Sequence, residues 1–279
     1  MLEGMSRGRM LTISMKRLGM LVVVLLGIVV SACGPSATAV PATEEPTVES
    51  TVERPRDEIT VLVDGSGDYA TLEAAVAAAA SGATITLGPG TYRLVRAMAI
   101  GKSLTLVGAG MDETEIVSGA PGQVIRFTGS GSFGGEGITF RHDGMQTADV
   151  VVIESGTGRF SNCRFTGAIY EEGEGNRAGL RFRGMSRGTV EDSVASGNDN
   201  TGFLVENQAE IELLRNICSD NGSVGIGYMD LGRGVAIENE CTGNQIGIAL
   251  AVESKPRLER NRCNDNDYGI AYLDNAGGE

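Results

Sequence analysis

Gly179-Leu180-Arg181-Phe182, Gly202-Phe203-Leu204-Val205, Gly225-Ile226-Gly227-Tyr228, Gly247-Ile248-Ala249-Leu250 and Gly269-Ile270-Ala271-Tyr272 are one phrase written five times, opening 23, 23, 22 and 22 residues apart. Fourteen residues after each of the first four glycines stands a second phrase: Ser193-Val194-Ala195, Asn216-Ile217-Cys218, Asn239-Glu240-Cys241 and Asn261-Arg262-Cys263. A fixed period in the twenties marks a solenoid, whose units hide their apolar positions only by stacking on one another. Leucine-rich repeats share the length but need spaced leucines framing an asparagine, which these units lack. Here the apolar positions alternate, as at Ile248 and Leu250, and period two reads as strand. Three short strands with tight turns fill one unit.

Asn216, Asn239 and Asn261 form a column. Asparagine tolerates the left-handed backbone of a sharp bend, and stacked amides can bond from coil to coil. With the Gly-Ile-x-Leu opening and this ladder after the second strand, the chain resembles the right-handed parallel β-helix repeats of the pectin-lyase-like superfamily, from Ile59 to the end. The resemblance implies an all-β, single-stranded right-handed parallel β-helix with a short N-terminal cap helix. It leaves activity open, because the fold hosts lyases, hydrolases, esterases, epimerases and plain binding surfaces.

Upstream, Leu18 to Val30 is a short apolar run preceded by Lys16 and Arg17 and followed by Ser31-Ala32-Cys33. That layout predicts a secretory signal over residues 1–32. Val30-Ser31-Ala32-Cys33 also resembles a bacterial lipobox, implying lipidation at Cys33 and an extracytoplasmic, membrane-anchored protein; ordinary cleavage leaving a free thiol is the alternative. A start at Met15 would give a compact signal. Residues 33–57, rich in Pro, Thr and Glu without periodicity, read as an extended tether. Loss of residues 1–32 removes Arg7, Arg9, Lys16, Arg17 and Glu3, leaving 19 basic and 35 acidic residues, a net charge of −16. Such a surface disfavours nucleic acid and bare anionic membrane as partners.

Residues 58–107 read as the cap of the solenoid and 108–279 as its coils. Thr71 to Ala80 predicts a helix capped by Thr71, with Glu73 in its first turn and Gly82 as its stop. The Asp64-Gly65-Ser66-Gly67-Asp68-Tyr69 turn, this helix and Gly88-Pro89-Gly90-Thr91-Tyr92 resemble the cap of pectinesterase-like proteins. In the middle, Phe133 to Ile138 aligns with Phe160 to Phe165. Cys163 to Ser193 spans 30 residues, so an insertion between Ala168 and Arg177 projects as a loop, neutral or leaning over a ligand.

If Leu180 and Phe182 point inward, the outward column of the first strands holds Arg181, Arg183, Leu204, Glu206, Gly227, Met229, Ala249, Ala251, Ala271 and Leu273. In polysaccharide-cleaving relatives this face carries the catalytic acids and base. Arg181, Arg183 and Glu206 are the candidate catalytic residues here, and a cross-strand ion pair is the competing account. The paired aspartates of an esterase or polygalacturonase site are not recognisable. Asp199, Asn200, Asp220, Asn221, Asp265, Asn266 and Asp267 offer oxygens for calcium, though turns prefer the same residues. No other cofactor is indicated. His142, the one histidine, reads as an exposed turn residue. Cys218, Cys241 and Cys263 form a column of reduced core thiols, with Cys163 displaced from it. There is no Trp, and Tyr228 and Tyr272 read as inward, leaving few platforms for sugar stacking.

The expected function is a non-catalytic polysaccharide-binding or scaffold module at the cell surface. The alternatives are a polysaccharide lyase or related carbohydrate-active enzyme working through Arg181 or Arg183 with Glu206, and an assembly protein stacking through an uncapped last coil.

Overall fold

Each coil lays down three short strands, and strands of equal rank pair with the coils before and after, always in parallel. The computed structural model describes residues 55–274 and 276–278; the signal segment, Cys33 and the tether up to residue 54 lie outside the described residues. The five strands that carry the repeated glycine phrase belong to an eight-stranded first sheet running from Met98–Ile100 to Tyr268–Tyr272. A nine-stranded second sheet runs from Arg56–Val61 to Arg257–Glu259, and an eight-stranded third from Gly90–Arg93 to Arg262–Cys263. This is the parallel β-helix expected from the repeat.

The inward column of the first sheet, Leu180, Phe203, Ile226 and Ile248, is fully buried, each residue in register with the next. Burial of each such side chain stabilises by ~1.5–3 kcal/mol. Earlier coils fill the same space with rings: Phe140 and Phe165 stack at 5.4 Å, and Phe160 meets Phe165 edge-on at 5.4 Å. The alignment expected in these coils is corrected by two residues, because Phe160 pairs with Gly135 and Phe133 with Gly158. A slip of two keeps every side chain on its own face, so alternation alone does not detect it.

The asparagine ladder is present and fully bonded. Asn216 donates its backbone N–H and its Nδ2 to Asn239 Oδ1 at 2.9 and 3.0 Å, and Asn239 does the same to Asn261 at 3.0 and 2.9 Å. The left-handed residue is not the asparagine but the one before it: Arg215, Glu238 and Arg260 have φ of 55°, 57° and 50°. A second ladder, unread in the sequence, runs through Asn198, Asn221, Asn244 and Asn266 at the next corner. It accounts for the repeated glycines. A Cβ on Gly225 would lie 2.7 Å from Gly247 O and 3.1 Å from Asn244 Nδ2, so these glycines make room for the amides beside them.

The third corner uses a left-handed residue in each late coil: Gly184, Asn207, Asp230, Val252 and Asp274. Val252, at φ 62°, is the β-branched exception, and its Cβ crowds the carbonyl there. Val252→Asn is expected to stabilise the fold by about 1 kcal/mol, read as a rise in the urea midpoint; a fall would mean that Val252 packing outweighs the backbone strain.

The cap helix is shorter than expected, Leu72–Ala78, and Ala79–Leu87 is already strand. Thr71 caps it by accepting from Ala74 N at 3.2 Å. Gly82 does not stop the helix; at φ 95° it lies within the strand. The reason is competition, since Ala79 and Ala83 are buried where the second sheet needs a strand. His142 is buried rather than exposed, its ring nitrogens 3.2 Å from Gly167 O and Ala120 O. Cys163, Cys218, Cys241 and Cys263 are unbridged, and burial pushes the Cys163 thiol up to about 12. Tyr228 points inward, but Tyr272 is 55% exposed because no coil covers the last one.

Candidate functional site

Several outward positions of the first sheet are buried, Arg181, Leu204 and Glu206 among them. Three coils bring Asp149 from Ala148–Ile153, Arg181 from Ala178–Phe182 and Glu206 just after Thr201–Val205 to one place, and all three are at most 7% exposed. The parallel register sets Arg181 between Val152 and Leu204. Its Nε and Nη2 each donate to Glu206 at 3.1 Å, to Oε1 and Oε2 respectively. Nη1 reaches Asp149 Oδ2 at 3.3 Å and Asn176 O at 2.8 Å. Such a two-pronged guanidinium–carboxylate pair fixes both planes.

Arg183 and Glu206 stand on neighbouring rungs, and Arg183 Nε lies 2.8 Å from Glu206 Oε1. Arg183 also approaches Glu154 at 4.0 Å, and Glu154 holds Arg126 at 2.6 Å. The result is a chain of alternating charge, Arg126–Glu154–Arg183–Glu206–Arg181–Asp149, crossing four coils. Arg181 and Arg183 thus both pair with Glu206 across the strands. Burial is the main influence on Asp149 and pushes its carboxyl above the usual range, against the pull of Arg181 and the Ala178 N–H that donates to it at 2.7 Å.

The insertion supplies the roof. Residues 168–177 are bridged antiparallel to the edge of the site, with Ile169 and Ala148 exchanging both backbone bonds at 2.9 and 3.0 Å. Asn176 Nδ2 lies 3.0 Å from Met229 Sδ, so the loop spans the face as far as the third coil along. The insertion folds over the first-sheet face, held there by Arg181 Nη1, which donates to Asn176 O at 2.8 Å. Past Glu206 the face turns small and apolar, through Gly227, Ala249 and Ala251, and ends at the exposed Leu273.

Asp149, Glu154 and Arg126 were missed because they lie in coils without the glycine phrase, where no register could be read. The one available signal was an aspartate inside Ala148-Asp149-Val150-Val151-Val152-Ile153, an acid in an otherwise apolar strand. The edge-turn residues divide: Asp220 and Asp265 occupy left-handed corners, whereas Asn221 is buried in the second ladder with Asn266 as its last member. Among the described residues no group of three or more His, Cys, Asp or Glu side chains is arranged to hold a metal ion.

The mannuronan C-5 epimerase A-module of Azotobacter vinelandii superposes with a TM-score of 0.55 at 18% identity, over 75% of this chain and 70% of that one. The pectin methylesterase of Aspergillus niger gives 0.51 at 14% identity, over 81% and 87%. Pectin methylesterase PemA of Erwinia chrysanthemi gives 0.50 at 13% identity, over 77% and 80%. At these identities the likeness is one of fold. No curated protein matches the sequence. Residues 148–279 match the family model described as right handed beta helix region, and the chain is a right-handed parallel β-helix of the pectin-lyase-like fold.

Proposed function

We propose that this protein is a non-catalytic, membrane-tethered β-helix module outside the cytoplasm that binds or scaffolds polysaccharide, anchored through lipid at Cys33. The observation that carries the non-catalytic reading is the closed charge chain on the first sheet. Arg126, Arg181 and Arg183 each face a carboxylate, and Asp149, Glu154 and Glu206 each face a guanidinium. A general base or acid must reach the proton it moves, and the innermost of these groups lie under the 168–177 loop. Polysaccharide as ligand is supported by the shared fold of proteins named for mannuronan and pectin, and the acidic surface disfavours nucleic acid.

Two competing readings have one observation each. The raised Asp149 carboxyl beside Arg181 favours an enzyme, since shifted groups cluster at active sites. The exposed Tyr268, Ile270, Tyr272 and Leu273 of the last coil favour assembly. The test is incubation of the full chain with uronate-rich and neutral polysaccharides, with and without calcium, following retention, unsaturated products and reducing ends. Retention without products is the expected result. Products that vanish in Arg183→Ala would overturn it for a lyase. Neither retention nor products would shift the function to assembly, read as dimers that Leu273→Asp disperses.

A further inference from the structure

The second sheet turns a different face to solvent, and among the described residues each of its arginines but one has a carboxylate partner. Arg187 and Arg233 share Glu210 at 3.7 and 3.3 Å, and Arg257 holds Glu259. Arg159, on the same face and exposed, has no carboxylate partner among the described residues. In a chain of net charge −13, an unpaired guanidinium on a strand is a departure from the local rule.

Arg159 also borders a recess. Thr105, Gly134, Arg159 and Thr189 follow one another on successive rungs, about 4.8 Å apart. Gly134 leaves a gap in that row of side chains, and the gap opens into a depression of about 310 Å³ walled by Thr105, Thr189, Glu136 and Glu191. A glycine within a strand is where another group can approach the backbone closely. A guanidinium at one side can donate two bonds to a carboxylate or sulfate, while threonine hydroxyls donate to or accept from the oxygens of a sugar ring and carboxylates accept from its hydroxyls.

We propose that this recess on the second sheet is a binding subsite for one anionic sugar unit, with Arg159 holding its carboxylate or sulfate and Gly134 providing the space. The inference rests on the polysaccharide-binding reading and assigns it a place: the second sheet, away from the roofed charge chain of the first.

The test uses the full chain and one sugar skeleton in three states: cellohexaose, its C6-oxidised carboxylate form and its 6-sulfate, titrated calorimetrically. The wild type is expected to bind an anionic form more tightly than cellohexaose, the two anionic arms deciding between carboxylate and sulfate. Arg159→Gln is expected to lose about tenfold or more in affinity for that form, Arg159→Lys less, with binding of cellohexaose unchanged. Arg159 is exposed, so both variants are expected to melt as the wild type does. Binding of the anionic form that Arg159→Gln leaves untouched would overturn the subsite alone. Wild-type protein that binds none of the three forms here, and none of the polysaccharide panel above, would overturn the polysaccharide reading and the subsite together.

Discussion

Arg181→Ala is expected to destabilise the protein by about 3–5 kcal/mol, against ~0–1 for an exposed ion pair. The substitution leaves Asp149 and Glu206, 5% and 6% exposed, facing each other under the loop without the cation between them. Arg183→Ala is the comparison. Arg183 is 42% exposed and shares Glu206 with Arg181, so its loss is expected to cost about 1 kcal/mol or less. Equal losses in the two variants would mean that the buried cluster is hydrated and the roof is open.

The pH dependence has a definite sign. The Asp149 carboxyl is raised in the folded state, burial being the largest cause. Its contribution is therefore fully present below the ordinary carboxylate range and is lost as pH rises from that range through the folded value. Removing Arg181 takes away a charge that holds this group down, so the Arg181→Ala deficit is expected to shrink as pH falls. Urea unfolding across the acidic range checks this; a deficit that grows with acidity would place the missing interaction elsewhere.

Asn239→Ala is the second large effect, roughly 3 kcal/mol or more. Asn239 Oδ1 accepts both the backbone N–H and the Nδ2 of Asn216, and its own Nδ2 donates to Leu213 O at 2.9 Å. Truncation leaves the Asn216 backbone N–H and one hydrogen of its Nδ2 without an acceptor, the other still reaching Val190 O, and takes a donor from Leu213 O, in a corner where Asn239 is 1% exposed. An unsatisfied buried group costs ~1–3 kcal/mol. Asn261→Ala, at the partly buried end of the ladder, is expected to cost less because water can replace the amide. Equal urea midpoints for the two variants would mean that the ladder acts locally at each rung rather than as a buried stack.

The fold was legible because five glycine phrases and four asparagine or serine phrases keep one period, and only stacked coils let such a pattern bury its apolar positions. The first ladder was legible for the same reason. The second was not, because Asn198, Asn221, Asn244 and Asn266 resemble ordinary turn asparagines until the glycines of the next strand are seen against them. The candidate site was half legible. Arg181, Arg183 and Glu206 lie in coils that the repeat aligns, whereas Asp149 lies in one that it does not. Periodicity also says nothing about an insertion: whether residues 168–177 stand off or fold down depends on the Asn176 carbonyl meeting Arg181 and on its amide reaching Met229, two coils on. The end of the cap helix was misjudged because an alanine run suits both helix and strand where burial decides.

Asp192, Arg215, Glu238 and Arg260 succeed one another at the left-handed corner before the ladder, each of opposite sign to the last, with Arg215 bound to Asp192 at 2.7 Å and Arg260 to Glu238 at 2.8 Å. Coils so alike in their apolar interior invite a folding error in which one whole coil is skipped, and the core would accept it. The corner would not. Skipping a coil sets Arg215 over Arg260 or Asp192 over Glu238, and like charges on adjacent strands repel. Charge with a two-coil period thus disfavours a one-coil skip across these four coils, where the apolar repeat alone does not distinguish one coil from the next.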